Sequence, residues 1–505
     1  MTSRNSRGVS VPLVLLAFLL SACHHAPAQS ARRAAPPPAS SRAVADLQRD
    51  ISTILAAPAL ERSYWGVLVK SLKSDDTLYA LNADKLLMPG SAMKVVTLAA
   101  AAERLGWDYT FETRIEASGP IDGGVLNGDL VVSGSGDPSI VDRDGMAARL
   151  FDNWAETLRA NGVRVVNGRI VGDDNAFDDD GLGAGWMWDD LADGFAASVG
   201  ALQFNENTVR VTVTPGATVG ATPALGVAPA GSNLSIRNLL TTTAANTAAV
   251  FQARRLPGSA VLELRGTVPL GAGVSAHTVS VDNPTLFFVN ALRDALAARG
   301  IDVRGPAVDI DDLVDPPALD RVTPLVTYRS PPLSTLATIM MKLSQNLYAE
   351  TLLKALGAST GTPSFEAGLT LTRTMLQDWG VSPAALIQLD GSGQSRYNYV
   401  TPDALVTILM HVDRDDRLRG PYEASLPVAG RDGTLALRMK GTPAEGNARA
   451  KTGTLANVRG LAGYVSTADG EPLVYCILAN NFDATPDTIT RASDAIVVRL
   501  AQFRR

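Results

Sequence analysis

Three short polar segments lie far apart along this chain, and a functional fold has to bring them together. They are Ser91-Ala-Met-Lys94, Ser344-Gln-Asn346 and Lys451-Thr-Gly453. Any one of them occurs by chance in a long protein. Their joint presence in this order, each in a suitable predicted element, is typical of a serine acyl-transfer site that uses lysine instead of histidine as its base. The fold must therefore let distant segments share one pocket.

The two ends of the chain carry one kind of pattern and the middle carries another. A helix is predicted at 44–58, a hairpin at 64–72 and 77–81, and a buried helix from Ser91 to Gly106. Further along, the predicted elements are helices at 333–342 and 347–356, strands at 447–454, 459–466 and 472–478, and a final helix from Pro486 with Thr485 as its cap. Between them, short β-like runs and turns surround one predicted helix at 285–299.

This contrast predicts an α+β domain that is interrupted by a long β-rich insertion of two modules. A length of 505 residues is consistent with roughly three domains of about 150 residues each. The expected limits are 1–23 for a signal peptide, 24–43 for a linker, 44–106 and 321–505 for the catalytic domain, 107–195 and 272–320 for the first inserted domain, and 196–271 for the second.

The first residues predict export. Two arginines precede an apolar run at 11–20 that is too short to span a bilayer and has the form of a secretory signal. The run leads into Leu-Ser-Ala-Cys23, which resembles the bacterial lipobox, and a lipid on Cys23 would tether the protein to a membrane face. The alternative is an ordinary signal peptide cut near Ala26 or Ala28. Residues 24–43 are rich in Pro, Ala and Ser, which predicts a semi-rigid linker.

Composition argues against several classes of function. The formal net charge is −6 and no long basic run is present, so nucleic acid is not an expected partner. Of the two cysteines only Cys476 lies beyond the signal region, so a disulfide within the mature domain is not expected. His277 and His411 are the histidines outside the linker, and neither has the spacing of a nucleophile's partner or of a metal ligand. We therefore expect no cofactor.

One acidic stretch could bind a cation. Asp173-Asp-Asn175 and Asp178-Asp-Asp180 offer several carboxylates, but their spacing is not that of an EF-hand loop. A solvated loop is the favoured interpretation. No metal site is therefore predicted.

Ser91 and Lys94 can supply a nucleophile and its base. A serine hydroxyl is a weak nucleophile at neutral pH and needs an adjacent base. Residues at i and i+3 of a helix share one face, so Lys94 can place its amine beside the Ser91 hydroxyl. Ser91 follows Pro89-Gly90 and so lies at the first turn of the helix. Unpaired N–H groups and the positive end of the helix dipole favour a developing oxyanion there.

Lys94 has to be neutral to accept a proton, although an unperturbed lysine has a pKa near 10.4. A pKa of about 7 requires roughly 4 kcal/mol of differential destabilisation of the ammonium. Burial and a nearby cation both act in that direction. We therefore predict that Lys94 is the general base and that Lys451, on a strand edge nearer the substrate, is a fixed cation.

The remaining motif residues offer polar groups to protons and to the substrate. Ser344 and Asn346 lie at a break between two predicted helices, where they could relay protons and orient a substrate amide. Taken alone, they would be interpreted as a helix cap. Thr452 and Thr454 offer hydroxyls to a terminal carboxylate, and Gly453 would let the substrate backbone approach closely. Because the three motifs occur together and in order, the catalytic interpretation is favoured.

With these motifs, the chain resembles the class C low-molecular-mass penicillin-binding proteins, the D-alanyl-D-alanine carboxypeptidase/endopeptidase family. The resemblance covers nearly everything after the linker, and a long interval between Ser91 and Ser344, with two inserted domains, is typical of that family. It also includes Ser344-Gln-Asn-Leu-Tyr-Ala-Glu350, Asp390-Gly-Ser-Gly393 with Ser395-Arg396, Leu426-Pro-Val-Ala-Gly-Arg-Asp-Gly-Thr434, Gly134-Ser-Gly-Asp-Pro138 and Phe204-Asn-Glu-Asn207. The middle triplet Ser-Gln-Asn departs from the common Ser-Asp-Asn at a position that varies in such enzymes.

The resemblance implies a transpeptidase domain of the penicillin-binding-protein and β-lactamase type, an antiparallel sheet flanked by helices. It also implies a serine D,D-peptidase that acts on peptidoglycan stem peptides. Ser91 would attack the carbonyl between two D-alanines, and water would hydrolyse the acyl-enzyme. The backbone N–H groups of Ser91 and Thr454 would form the oxyanion hole. Endopeptidases of this group cut the cross-link from D-Ala to diaminopimelate in the same way, and β-lactams inhibit by acylating the serine.

Two alternatives stay open. A β-lactamase or esterase on the same scaffold would differ in how fast its acyl-enzyme is hydrolysed. A catalytically inactive wall-binding protein would have no chemical reason to keep all five polar motif residues. The expected location is the periplasm of a bacterial envelope, with a membrane contact only through a lipid on Cys23.

Overall fold

Helices and strands alternate along the part of the chain that the computed structural model describes, residues 39–505. The helices are α1 (Ala39–Leu55), α2 (Lys94–Leu105), α3 (Met146–Ala160), α4 (Pro284–Ala298), α5 (Leu333–Lys342), α6 (Asn346–Ala358), α7 (Phe365–Asp378), α8 (Pro402–Arg414), α9 (Asp416–Ser425) and α10 (Pro486–Ala501). The strands of the first half are β1 (Tyr64–Ser71), β2 (Thr77–Leu81), β3 (Glu112–Ala117), β4 (Ile121–Asp122), β5 (Val125–Leu126), β6 (Leu130–Gly134), β7 (Val165–Val166), β8 (Ile170–Asp173), β9 (Thr208–Thr214), β10 (Ala224–Ala228), β11 (Ser235–Thr243) and β12 (Val250–Arg254). Those of the second half are β13 (Val261–Pro269), β14 (Ser275–Ser280), β15 (Asp302–Val303), β16 (Ala307–Asp309), β17 (Thr323–Arg329), β18 (Leu386–Ile387), β19 (Tyr399–Val400), β20 (Arg449–Leu455), β21 (Val458–Ser466) and β22 (Pro472–Asn480).

The central sheet joins strands from both ends of the chain. Its order is β2-β1-β22-β21-β20, and each neighbouring pair is antiparallel. The middle strand β22 is a nearly continuous apolar run and is buried at every position after its first, as expected of a strand covered on both faces. The prediction of an α+β domain interrupted by an insertion is confirmed.

Each face of this sheet carries an apolar core. On one face, α2, α5, α6, α8 and α9 pack together, with Leu98, Leu336 and Leu409 fully or almost fully buried among them. On the other face, α1 and α10 cover the sheet. Thr485 caps α10 as predicted, because its hydroxyl accepts from the backbone N–H of Thr488.

The segment between α2 and α5 forms separate sheets around a core of its own. The sheet orders are β16-β8-β6-β3-β17, β15-β7-β5-β4, β10-β9-β14 and β11-β13-β12. The helix predicted at 285–299 is present as α4, but it is not the single helix expected in this segment, because α3 precedes it. In α3, the apolar residues Phe151, Trp154 and Leu158 recur at helical spacing and are buried.

The structure bears on three of the predicted limits. The linker was predicted to extend to residue 43, but α1 begins at Ala39, since Ala and Ser are compatible with a first helical turn. Strand β17, placed in the catalytic domain, pairs with β3 of the insertion. Strand β14, placed in the first inserted domain, pairs with β9 of the second. The domain limits stay predictions, and these pairings favour moving both boundaries.

Two predictions on the chain's first residues lie outside the described range, namely the signal peptide with Cys23 and the linker up to residue 38. Within 39–505, every helix falls short of the length and apolarity that a membrane span requires. Cys476 is buried in β22 and forms no disulfide with a described residue.

Candidate active site

The turn before α2 places Ser91 next to the third motif. Ser91 lies on a tight turn, Gly90–Met93, that continues into α2 at Lys94. Gly90 has a φ of +52°, and a Cβ there would lie 2.8 Å from the backbone nitrogen of Thr454. Only glycine combines this backbone conformation with so close an approach. The turn and the strand β20 are thus in direct contact at the nucleophile.

Lys94 is fully buried and has three polar neighbours. Its Nζ lies 3.0 Å from Ser91 Oγ, 2.7 Å from Asn346 Oδ1 and 3.0 Å from the backbone carbonyl oxygen of Ser392. A carbonyl oxygen only accepts hydrogen bonds, whereas a hydroxyl can donate or accept. In the neutral amine, both N–H groups therefore point to the carbonyl oxygens of Asn346 and Ser392. The lone pair is left facing Ser91 Oγ.

The two buried lysines disfavour each other's charge. Burial lowers the pKa of Lys94 to about 7, and the nearby carboxylates of Glu350 and Asp390 oppose that change. Burial also lowers the pKa of Lys451 well below its usual range, and the neighbouring Lys94 adds to this effect. The direction predicted for Lys94 is therefore found, with burial as the main cause. Burial and Lys94 both disfavour the ammonium form of Lys451, and its role as a fixed cation stays a prediction.

The second motif connects the two lysines to the cavity. Ser344 has a φ of +60°, a strained conformation for a residue with a side chain, and its Oγ lies 2.8 Å from Lys451 Nζ. Asn346 is the first residue of α6, and its Nδ2 donates to the Phe195 carbonyl at 2.9 Å and to Gln394 Oε1 at 3.0 Å. These two acceptors orient the amide so that its oxygen faces Lys94. The alternative of a helix cap is not met, since α6 has no side-chain cap at its start.

The third motif lies on β20 along the opposite wall. Lys451 Nζ also donates to the Thr452 carbonyl at 2.9 Å, and Thr452 Oγ1 lies 2.8 Å from Thr434 Oγ1. Gly453 was expected to let the substrate backbone approach closely, but it does not line the main cavity. A Cβ at Gly453 would lie 2.0 Å from the carbonyl oxygen of Pro89. The close approach is thus made by the protein's own turn before Ser91 and not by the substrate.

Replacing Gly453 by alanine is therefore expected to push β20 away from the Ser91 turn. Overpacking of this kind costs about 1–3 kcal/mol of unfolding free energy, and the displacement should also slow acylation. Denaturant unfolding and the acylation rate of Gly453→Ala would measure both effects. Gly420→Ala is a matched control, since Gly420 lies in α9 and a Cβ there meets no atom within 4 Å. Equal behaviour of the two variants would contradict the packing argument.

A cavity of about 630 Å³ lies over these residues. The predicted residues that line it are Ser91, Ser344, Asn346, Thr452 and Thr454. Lys94 and Lys451 lie beneath it, fully buried.

The insertion contributes a wall that the sequence predictions missed. Met187, Asp190 and Phe195 come from the insertion, and Gln394 and Arg396 from the segment before β19. In the second of these segments, Asp390-Gly-Ser-Gly393 was part of the family resemblance, but no role in the site was predicted for it. Nothing in the sequence places residues 187–195 at the cleft.

The acidic stretch is only partly a solvated loop. Asp178 pairs with the buried Lys354, their charged atoms being 2.6 Å apart. Asp174 Oδ2 accepts from Thr285 Oγ1, and one oxygen of each of Asp174, Asp309 and Asp311 lies within 4.8 Å of the others. Such a group could hold a cation, but acidic clusters are common without one. The expectation of no metal site stays a prediction.

Comparison with known proteins identifies a family with this arrangement. A family model described as D-Ala-D-Ala carboxypeptidase 3 (S13) family matches residues 47–503. A D-alanyl-D-alanine carboxypeptidase of Actinomadura sp. (strain R39) is 34% identical over 478 residues, which cover 92% of this chain and 86% of the relative.

Solved structures show the same fold. The crystal structure of penicillin binding protein 4 from Haemophilus influenzae matches with a TM-score of 0.78 and 25% identity, covering 91% of this chain and 99% of the other. A second structure of that protein, complexed with a novel β-lactam, matches with a TM-score of 0.73 and 23% identity over the same shares. The resemblance inferred from the motifs is thereby confirmed. Since the family model spans most of the chain and a relative exceeds 30% identity, this chain belongs to the D-Ala-D-Ala carboxypeptidase 3 (S13) family.

Proposed function

We propose that Ser91 is the nucleophile of this serine-type D-Ala-D-Ala carboxypeptidase and that Lys94 is its base. Lys94 Nζ takes the proton of the Ser91 hydroxyl, and Oγ attacks the carbonyl carbon between the two D-alanines. The single observation that carries this proposal is the contact of 3.0 Å between these atoms, with the other two directions of the amine occupied by carbonyl oxygens. Such an amine presents a lone pair to the hydroxyl and to no other group.

The tetrahedral intermediate needs donors for its oxyanion and a proton for its leaving group. We assign the oxyanion to the backbone N–H groups of Ser91 and Thr454, which the contact between the Ser91 turn and β20 brings close together. When the C–N bond breaks, Ser344 gives its proton to the departing amine and takes up in exchange the proton that Lys94 received from Ser91, so Lys94 is neutral again. Lys451 Nζ, 2.8 Å from Ser344 Oγ, holds this hydroxyl in place. D-Alanine leaves, and an ester to Ser91 remains.

Hydrolysis of the ester repeats the steps with water. A water molecule that replaces D-alanine gives one proton to the neutral Lys94 and attacks the ester carbonyl. When the bond from the carbonyl carbon to Ser91 Oγ breaks, Lys94 returns that proton to Oγ. Thr452 and Thr454, with Thr434 behind them, offer hydroxyls to the terminal carboxylate of the substrate. The same cavity could receive a D-Ala to diaminopimelate cross-link, so endopeptidase activity is part of the proposal.

Peptidoglycan stem peptides are the proposed substrates and β-lactams the proposed inhibitors. The relatives named as D-alanyl-D-alanine carboxypeptidases support the first assignment. The β-lactam complex of the Haemophilus protein supports the second. Because peptidoglycan lies outside the cytoplasm, export by the predicted signal segment and a lipid on Cys23 fit this function. Palmitate labelling of the wild type and of Cys23→Ala would test the lipid.

Two assays on the purified protein test the proposal. A synthetic stem peptide ending in D-Ala-D-Ala should lose its last residue, measured as free D-alanine, and a fluorescent penicillin should leave a persistent covalent band. Rapid loss of the label with little release of D-alanine would favour a β-lactamase. Absence of both signals would favour an inactive wall-binding protein.

The pH dependence of acylation follows from the lowered pKa of Lys94. The neutral amine is the active form, so the acylation rate should rise as pH increases through the pKa of Lys94, about 7. An unperturbed lysine would place the same rise near pH 10.4. The rate constant for penicillin acylation, measured between pH 5 and pH 9 (an interval of about two units on either side of that pKa), would locate the midpoint. A rate that still increases steeply at the alkaline end would contradict Lys94 as the base.

A further inference from the structure

A buried loop without helix or strand supplies one of the partners of Lys94. Residues 388–398 lie between β18 and β19, and most of their side chains are buried. Buried backbone N–H and C=O groups need hydrogen-bond partners, and here no sheet or helix provides them. The contacts of residues 390–395, called the 390–395 loop below, show which groups do so instead.

Glu350 holds the first part of this loop. Its side chain comes from α6 and is fully buried, and its two oxygens accept from the backbone N–H groups of Gly391 at 2.7 Å and Ser392 at 2.8 Å. The carbonyl of Gly391 accepts from Thr97 Oγ1 at 2.7 Å. The next carbonyl, that of Ser392, accepts from Lys94 Nζ. One carboxylate thus fixes the two peptide groups that come directly before the Ser392 carbonyl, the acceptor for Lys94.

Asp390 holds the second part in the same way. Its oxygens accept from the backbone N–H groups of Gly393 at 2.8 Å and Ser395 at 2.6 Å, and from the side chains of Asn398 and Trp186. The loop is therefore organised by two carboxylates. Glu350 holds the N–H of Ser392 itself, and Asp390 holds the N–H of Gly393, which belongs to the same peptide group as the Ser392 carbonyl.

We propose that Glu350 is a positioning residue for Lys94, because it fixes the Ser392 carbonyl against the amine. The proposal rests on the proposed role of Lys94 as the base. If the Ser392 carbonyl moves, one N–H of the neutral amine loses its acceptor. The lone pair is then no longer directed at Ser91 by two fixed contacts.

Glu350 also acts on the amine through its charge. The groups that face Lys94 are Glu350 from α6, Asp390 from the loop and Lys451 from β20. When ionised, the two carboxylates stabilise the ammonium and oppose the effect of burial, and Glu350 is the larger contributor. Burial and the neighbouring Asp390 raise the pKa of Glu350 itself to about 8, against its hydrogen bonds to the loop, so its charge is complete only at alkaline pH. Removing the charge of Glu350 should lower the pKa of Lys94 further. The neutral base would then be present at lower pH, so the rise in acylation rate should move to lower pH.

The change Glu350→Gln tests both effects. Glutamine has the same shape, but its amide nitrogen would face a backbone N–H donor, so one contact to the loop is lost. We expect penicillin to acylate the variant at least about tenfold more slowly than the wild type. Any change in the midpoint of the pH profile should be to lower pH, and its size is limited because Glu350 is only partly ionised near neutral pH.

Two further variants distinguish the positioning effect of Glu350 from the effect of its charge. Thr97→Val loosens the same loop without changing any charge, so its profile should keep the wild-type midpoint. Glu350→Asp keeps the charge but is one methylene shorter, so it should acylate slowly with little change of midpoint. Rate constants of single-turnover acylation are used, because they do not depend on the fraction of active protein.

Several results would overturn the proposal. They are an unchanged rate in Glu350→Gln, or a midpoint in that variant at higher pH than in the wild type and Thr97→Val. If Glu350→Gln does not fold, Glu350→Asp decides, and a rate equal to that of the wild type would refute the positioning role. A wild-type protein that no penicillin acylates would refute the proposed function itself, which is a separate outcome.

Discussion

Ser91→Ala should show no covalent band with fluorescent penicillin and no release of D-alanine above background. The substitution removes the only hydroxyl that lies within hydrogen-bonding distance of Lys94 Nζ among the contacts of the described residues. Loss of a nucleophile in a serine hydrolase lowers turnover by about 10⁶-fold. The fold should be retained, because Ser91 lies on the cavity wall and is not part of the apolar cores.

Ser425→Ala is a suitable control for this change. It removes a hydroxyl that is fully buried at the end of α9 and donates to the carbonyl of Tyr422, away from the cavity lining. The control should label like the wild type. A labelled band in Ser91→Ala, with an unchanged thermal transition, would show that another residue is the nucleophile.

Lys94→Met should reduce the acylation rate by roughly 10²–10⁴-fold, the usual contribution of a general base. Methionine has a similar volume but no proton acceptor of comparable strength. Two opposing effects act on stability. The buried amine and its desolvation cost disappear, whereas the carbonyl oxygens of Asn346 and Ser392 lose a donor. We therefore expect a folded protein whose rate changes far more than its unfolding free energy.

Lys354→Met is the matched control for the second change. Lys354 is also a fully buried lysine, but it belongs to the ion pair with Asp178 of the insertion. This variant should lose stability, because a carboxylate is left without its partner. Its folded fraction should acylate at the wild-type rate. If Lys94→Met acylated at a near-normal rate, Lys94 would be excluded as the base.

The elements that the sequence predicted best have local signals. The hairpin of β1 and β2 follows from two β-rich runs around a turn, and the cap and apolar face of α10 are visible in consecutive residues. The pairing of Ser91 with Lys94 follows from their spacing alone. Helix α8 has the same start as α10, a threonine cap at Thr401 followed by Pro402, and was nevertheless not predicted.

The parts that were missed depend on contacts without a sequence signal. The carbonyls of Ser392 and Phe195 are backbone groups, and any residue type could supply them. Among the described residues, Glu350 has no charged partner in direct contact, so its role emerges only when the 390–395 loop is seen against α6. Gly453 was assigned to the substrate because a sequence does not show that the Pro89 carbonyl fills the space beside it.

The pairing of β1 with β22 has a consequence for how the molecule is made. Ser91 and Lys94 are synthesised long before the last strands of the sheet. The main partner of β1 is β22, which is one of those last strands. The catalytic site around Ser91 therefore cannot assemble while the insertion is still being synthesised. Loop closure over so long a segment is slow, so newly made molecules should remain inert until the final strand docks. Activity is thus coupled in time to the synthesis of β22.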